Sequence, residues 1–379
     1  MNVAVVGGGI FGVTAALELR ARGCDVTVFD PGPLPHPLAE STDISKVVRC
    51  DYGGDEPYTI LGERALDGWR RWNAAWPVAR YHESGVMFLS RQPMQRGGFE
   101  HDSYELLARR GHHVERLDAH AIAARFPAYR PGAFVDGYFH RDGGWAESGA
   151  VVADLAMQCL AAGVAIRAHT VKRLVPDGVV LDGEHVPYDA IVVCAGSWTQ
   201  HLVPELAGSL RAIGQPVFHL APANPSLFEA ERFPVFGGDI ATTGYYGFPL
   251  AGGIVKIANH GTGRPVASAV ERVVTADQEQ ALRAFLRDAL PALADAPITH
   301  RRLCVYGDSL DGHFWITRHP EQPHLTIAAG GSGHAFKFAP VLGALIADTV
   351  LTGDNALADR FRWRSALQAA APGDAARAK

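Results

Sequence analysis

Within its first thirty residues the chain carries a pattern that few folds can accommodate. Val3-Ala4-Val5-Val6 is a continuous apolar run suited to a strand buried on both faces. It leads directly into Gly7-Gly8-Gly9-Ile10-Phe11-Gly12, a GxGxxG loop, and Val13 to Arg22 then has helical composition that Gly23 ends. A second apolar strand, Val26-Thr27-Val28-Phe29, finishes at Asp30. The spacing gives each glycine a distinct role. Gly7 permits the tight turn, Gly9 lets backbone approach a pyrophosphate with Ile10 and Phe11 beside it, and Gly12 lets helix and strand pack closely. Asp30 falls where a carboxylate holds ribose hydroxyls and would repel the 2'-phosphate of NADP. The pattern predicts dinucleotide binding, but it does not separate FAD from NAD, since both present an adenosine diphosphate to such a loop.

At 379 residues the chain exceeds the usual single-domain size, so two structural units sharing one cofactor are expected. Hydrophobic residues at 47% and charged residues at 20% place it with globular proteins, not with disordered or membrane-spanning ones. A net charge of -5 supplies no global reason to bind nucleic acid or an anionic membrane, which leaves a small molecule as the expected partner. Cys24, Cys50, Cys159, Cys194 and Cys304 are odd in number and never spaced as CxxC. That argues against a disulfide framework or a zinc site, and no metal is expected. A reducing compartment fits, and the absence of a basic n-region before Val3 points to the cytoplasm. Ala369 to Lys379, rich in alanine, reads as a frayed tail.

Farther along, Ile60, Leu61, Ala65, Leu66, Trp69 and Trp72 recur at helical spacing up to Pro77, and their aromatic rings read as core. Short strands such as Gly85 to Leu89 alternate with polar helices through residue 144, a helix covers Glu147 to Ala162, and Ala165 to Val171 and Asp189 to Gly196 read as buried strands. The latter ends in Ala195-Gly196-Ser197-Trp198, a small-residue corner where a cofactor could meet backbone, or a plain turn. Residues 216 to 311 read as extended segments around a helix from Asp277 to Leu290. A third apolar strand, Leu325 to Ala329, feeds Gly330-Gly331-Ser332-Gly333-His334-Ala335-Phe336-Lys337-Phe338 and a helix from Pro340 to Leu351, repeating the strand, glycine loop and helix plan. Such a loop offers N–H groups to an anion or an electron-rich ring edge.

Four motifs in this order resemble the D-amino-acid-oxidase-like flavoproteins, and within them the branch of monomeric sarcosine, N-methyl amino acid, pipecolate and fructosyl-amine oxidases. They are the GxGxxG, Lys46-Val47-Val48-Arg49 with Tyr52-Gly53, Arg301-Arg302-Leu303-Cys304-Val305-Tyr306, and Gly333-His334-Ala335-Phe336-Lys337. The resemblance spans nearly the whole chain. It implies FAD, oxidation of an amine C–N bond and oxygen as the electron acceptor. It further implies an α/β fold: a Rossmann-like, glutathione-reductase-type FAD domain from residues 1–80, 145–215 and 312–379, and an α+β substrate domain on a mixed antiparallel sheet from 81–144 and 216–311. Members of the branch often act as monomers.

The resemblance also implies residue roles. Cys304 matches a cysteine bonded to a methyl carbon of the flavin; by composition alone it reads as a small buried hydrophobe. Arg49 and Lys337 match residues that hold the substrate carboxylate, a role suited to a guanidinium fork and a compact ammonium. Lys256 matches a flavin-side lysine that serves oxygen activation, where a fixed cation stabilises the superoxide that forms, and His260 matches an active-site histidine. Lys46, Val171, Ala195, Gly196, Trp198, Gly330, Gly331, Gly333, His334 and Lys337 are taken as cofactor contacts. One of Tyr245 and Tyr246 borders the substrate, with Tyr245 taken as the site residue, because successive strand residues face opposite ways.

Ser41 to Lys46, Gly143 to Ala146 and Gly331 are closer to the fructosyl-amine and pipecolate or saccharopine relatives than to sarcosine oxidases. Gly331 stands where the latter carry a bulky aromatic residue, which predicts room for a larger N-substituent. The expected reaction oxidises a secondary amino acid to an imine, with hydrogen peroxide formed from oxygen. Two rival readings are a flavin-dependent, imine-forming biosynthetic dehydrogenase that uses another acceptor, and a nucleotide-binding module without turnover.

Overall fold

A computed structural model describes residues 1–267 and 272–364; the expected frayed tail, Ala369 to Lys379, lies outside them. The opening pattern folds as strand β1 (Asn2–Val6), helix α1 (Ile10–Ala21) and strand β2 (Asp25–Asp30). β1 sits at the middle of a six-stranded sheet and pairs in parallel with β2 on one side and Ala190–Val193 on the other. Leu325–Ala329 continues the parallel run, Trp315–Arg318 adds an antiparallel edge, and Ala165–Ala168 closes the opposite edge beside β2. Central strands covered on both faces must be apolar throughout, which is why Val3, Ala4 and Val5 are completely buried. Ala165–Ala168 departs from the buried strand expected of it: as an edge strand it is mostly exposed.

A nine-stranded, predominantly antiparallel sheet stands beside the first. Its longest pair, Leu210–Leu220 with Ile298–Ser309, adjoins Val255–Asn259, Tyr245–Gly247 and Val235–Gly238; beyond those lie Val86–Ser90, Asp136–His140 and Val114–Arg116. The α/β class with a Rossmann-like sheet and a mixed second sheet is thus the observed fold. Leu210–Leu220 runs unbroken through position 215, so the division expected there falls inside a strand. Pro216 is tolerated in that strand, and the ladder to Ile298–Ser309 continues on either side of it.

The helices appear where the periodicity puts them, at Glu56–Ala75, Ser148–Ala161, Ala276–Ala289 and Ala339–Thr352. Asp55 caps the first of these by accepting from Tyr58 N–H, and Thr275 and Gln278 form a capping box on the third. A small antiparallel sheet, Val171–Val175 with Gly178–Leu181 and Glu184–Pro187, has no counterpart in the sequence reading. Its short, half-exposed strands carry little period-2 signal.

Candidate active site

Gly7 is held at φ +107°, and a Cβ there would lie 2.4 Å from the carbonyl oxygen of Cys194; on Gly12 it would lie 1.8 Å from that of Gly7. The loop therefore presses against the neighbouring strand and its own helix, and no larger residue fits either place. Gly9 caps α1 without a side chain, and the first turn of α1 carries no acidic residue. Ser41 Oγ accepts the Ile10 N–H at 3.0 Å, and the positive end of the helix dipole faces an opening that no acidic side chain of the helix itself enters.

That opening is the mouth of a cavity of about 350 Å³. Gly7, Gly9, Ile10, Phe11 and Asp30 line it from the first βαβ unit, Lys46 and Val171 from the flanks. Ala195, Gly196 and Trp198 contribute from the second corner, and Gly330, Gly331 and Gly333 from the third loop. Asp30 accepts N–H bonds from Gly8 at 2.8 Å and Gly32 at 3.2 Å, which fixes its carboxylate at the end of β2. Ser197 also lines the cavity, and its buried hydroxyl oxygen has no hydrogen-bond partner among the described residues. A long, phosphate-bearing ligand with hydroxyls fits this set: a glycine loop at a helix N-terminus for the pyrophosphate, a carboxylate for the ribose and a buried hydroxyl for a further polar group.

A smaller cavity, of about 40 Å³, adjoins it, and Gly333 lines both. Its polar lining is Arg49, Lys337, His260, His334 and Tyr246, set against Val47, Val86, Phe88, Val235, Phe236 and Ile240. Arg49 is buried, with its guanidinium carbon 4.9 Å from the Tyr52 ring centre and 5.5 and 5.6 Å from those of Phe88 and Phe99. Lys337 Nζ donates to Tyr52 Oη at 2.9 Å and to the His334 carbonyl at 2.8 Å, while Tyr52 Oη lies 3.0 Å from His334 Nδ1. Two buried cations attract an anionic group strongly, because little water screens them.

Several expected contacts are redistributed. Tyr245 is not at the site: its ring stacks on Phe285 at 4.5 Å in the core behind the second sheet, and Tyr246, on the opposite face of the strand, lines the smaller cavity. His334 and Lys337 face the smaller cavity, not the larger one. Gly331 faces Phe11 and Ala335 within the larger cavity, so the room its missing side chain leaves is on the cofactor side and does not widen the smaller cavity. Gly12 packs and lines neither.

Cys304 and Lys256 line neither cavity. Cys304 is buried on Ile298–Ser309 with its Sγ 3.9 Å from Lys46 Nζ, and its neighbour Val305 lines the larger cavity. Lys256 Nζ is paired with Asp43 Oδ2 at 2.7 Å, donates to the Ser45 carbonyl and sits 4.6 Å from the Phe248 ring centre. Burial pushes Lys256 down to about 8 against the pull of Asp43. Burial works to raise Asp43, but Lys256 and His219, 3.2 Å from its other oxygen, win and hold it well below the usual carboxylate range.

Asp43 and Glu40 escaped the sequence reading as site residues. Glu40 lines the larger cavity and accepts from Gly307 N–H at 3.2 Å, and burial raises it to about 7. Only their place between the GxGxxG and Lys46 marks these two acids in the sequence, and an acid in such a loop is ordinarily solvated.

A family model described as FAD dependent oxidoreductase matches residues 2–349. The chain belongs to this family. Among curated relatives of this FAD-dependent oxidoreductase, N-methyl-L-tryptophan oxidase of Escherichia coli is 30% identical over 362 residues, covering 92% of this chain and 94% of that one. A modified fructosyl peptide oxidase from Aspergillus nidulans superposes with a TM-score of 0.85 at 23% identity, covering 98% and 97% of the two chains. L-proline dehydrogenase from P. horikoshii superposes at 0.82 with 18% identity over 94% of each. At such identities the two structures speak for the fold of the flavoenzyme.

Proposed function

We propose that this FAD-dependent oxidoreductase is an oxidase of secondary, N-substituted amino acids. In that reading it converts the C–N bond to an imine, uses O2 as acceptor and releases H2O2. The observation that carries the proposal is that Gly333 lines both cavities, so a carboxylate held by Arg49 and Lys337 lies next to the cofactor's seat. The name of the Escherichia coli relative, an N-methyl amino acid oxidase, supports the same chemistry.

The loop from Gly7 to Phe11 would hold the pyrophosphate, Asp30 the ribose, and the Ala195–Trp198 and Gly330–Gly333 corners the remainder of FAD. Bound there, FAD would supply the two-electron oxidation of the amine C–N bond and the transfer of those electrons to oxygen. Arg49 and Lys337 bind the carboxylate, which leaves the α carbon a single approach and removes orientational freedom before reaction. Val86, Phe88, Val235 and Phe236 exclude water from the amine. Tyr246 and His260 border the N-substituent. Lys256 supplies positive charge for reduced oxygen species through its place beside Ser45 and Lys46, and Asp43 holds it in position.

Two checks arise here. Flavin is proposed to be attached through Cys304, so fluorescence should stay with the acid-denatured polypeptide and pass into solution for Cys304→Ala. Flavin released from the native sequence would end that assignment. Because Lys256 is charged below about 8 and neutral above it, kcat/KM for oxygen is expected to fall as pH rises through that value. A profile flat from 6 to 10, measured as initial oxygen consumption in buffers spanning roughly that range, would remove Lys256 from the oxygen step.

An oxygen electrode with a panel of N-methyl amino acids tests the whole reading; substrate that bleaches the flavin without forming peroxide would transfer the chain to the dehydrogenases. All five cysteines are free and buried, which suits the proposed reducing, cytoplasmic setting. Among the described residues no helix is long and apolar enough to cross a membrane. The enzyme is proposed to act as a monomer.

A further inference from the structure

Outside both cavities a second group of polar side chains converges. Cys50 directly follows Arg49, and its Sγ and one nitrogen each of His112 and His140 lie within 4.8 Å of one another. His112 Nδ1 and His140 Nε2 are 3.4 Å apart, and Asp142 Oδ2 is 3.1 Å from the first and 3.7 Å from the second. The outer nitrogens face other carboxylates: His140 Nδ1 is 3.1 Å from Asp51 Oδ2 and His112 Nε2 is 2.9 Å from Glu63 Oε1.

A carboxylate holds an N–H on the imidazole nitrogen that faces it, which leaves the other nitrogen with its lone pair exposed. Asp51 and Glu63 thus favour N–H on the outer nitrogens, while the inner nitrogens face each other and the Asp142 carboxylate, which favours a proton there in turn. Three such atoms repel unless a positive charge sits among them. A tetrahedral zinc ion with bonds of about 2.0–2.1 Å separates two nitrogen ligands by about 3.3–3.4 Å, which matches the 3.4 Å between His112 Nδ1 and His140 Nε2. A thiol at the same spot favours zinc over magnesium or calcium.

We propose that Cys50, His112 and His140 bind a zinc ion, and that Asp51 and Glu63 orient the two imidazoles. The ion ties the segment that carries Arg49 to the strand Asp136–His140, where Tyr138 Oη also donates to Asp51 at 2.8 Å. Asp142 and His112 are partly exposed and provide the way in. The competing occupant is a proton: burial disfavours charge on His140, yet Asp51 and Asp142 outweigh it and raise it to about 9.

Metal analysis of the flavin-loaded enzyme, followed by titration with Zn2+ and with Co2+, decides between them. The expected result is zinc stoichiometric with the chain, and a Co2+ form with tetrahedral ligand-field bands at longer wavelengths than the flavin absorbs. Both should be lost in Cys50→Ser and in His112→Gln that still contain flavin, and Glu63→Gln should weaken zinc binding roughly 10–100-fold. Wild-type enzyme that neither contains nor binds either ion overturns the proposal, as does equal affinity in the two ligand variants. Should both variants fail to retain flavin, the Tm of the wild type decides: a rise with added Zn2+ supports the site, and an unchanged Tm overturns it.

Discussion

Arg49→Ala is expected to raise KM for a carboxylate-bearing amine by between about 30-fold and a few thousand-fold, while flavin content stays unchanged. The guanidinium is buried among three aromatic rings, and a substrate carboxylate entering there gives up its water. Removing one partner of a buried, hydrogen-bonded charge pair costs about 2–5 kcal/mol, and each 1.4 kcal/mol is about tenfold in affinity. Arg49→Lys should fall between wild type and alanine, since it keeps the charge and loses the fork. Lys337→Met should weaken the same substrates and also loosen Tyr52 and the His334 loop, because its ammonium bridges both. Amines that lack the carboxylate provide the control: their KM should change little in Arg49→Ala. Steady-state kinetics with matched acid and amide substrates measures this directly, and an unchanged KM for the acid would remove Arg49 from the carboxylate site.

Lys256→Met is expected to destabilise the protein by about 3–5 kcal/mol, the cost of leaving one member of a buried ion pair behind. Lys256 and Asp43 side chains are only 1% and 2% exposed, and their charged atoms are 2.7 Å apart. Methionine would leave the Asp43 carboxylate with His219 and the Ile44 N–H as direct partners and with the field of Lys46. Adding Asp43→Asn should restore most of the loss, because the neutral amide needs no counter-charge. The denaturant midpoint of the flavin-loaded protein reads both effects. Wild-type stability in the single variant would mean that the pair contributes nothing. The double variant is also the cleaner material for the oxygen step, since it separates loss of the cation from loss of packing; oxygen consumption is expected to slow in it by roughly 10²–10³-fold.

The first βαβ unit was legible from residues alone because its constraints are local. A strand buried on both faces, a loop too tight for side chains, a helix and a terminal acid all fall within thirty residues, and each restricts which amino acids can stand there. The long helices were legible for the same reason, their apolar stripes repeating over three or more turns. The resemblance in the Arg49, Cys304 and Lys337 motifs went further and named the residues around the smaller cavity, though not which side of Gly333 each would face.

Short strands hid more. Tyr245 and Tyr246 are adjacent and chemically alike, so nothing in their spacing says which turns to the cavity; the register of Tyr245–Gly247 against Val255–Asn259 decides it. Gly331 appeared to open the substrate side, and only the approach of Phe11 and Ala335 places its space beside the cofactor. The pairing of Asp43 with Lys256 joins positions far apart in the chain. Cys50, His112 and His140 show none of the close spacing by which metal ligands are found in a sequence, since three separate segments must fold before the side chains meet. Local steric rules thus determine from sequence that this chain cradles a dinucleotide. Which charges are paired, which face the substrate and which surround a third site depends on long-range packing, because an interaction between distant residues leaves no periodic trace along the chain.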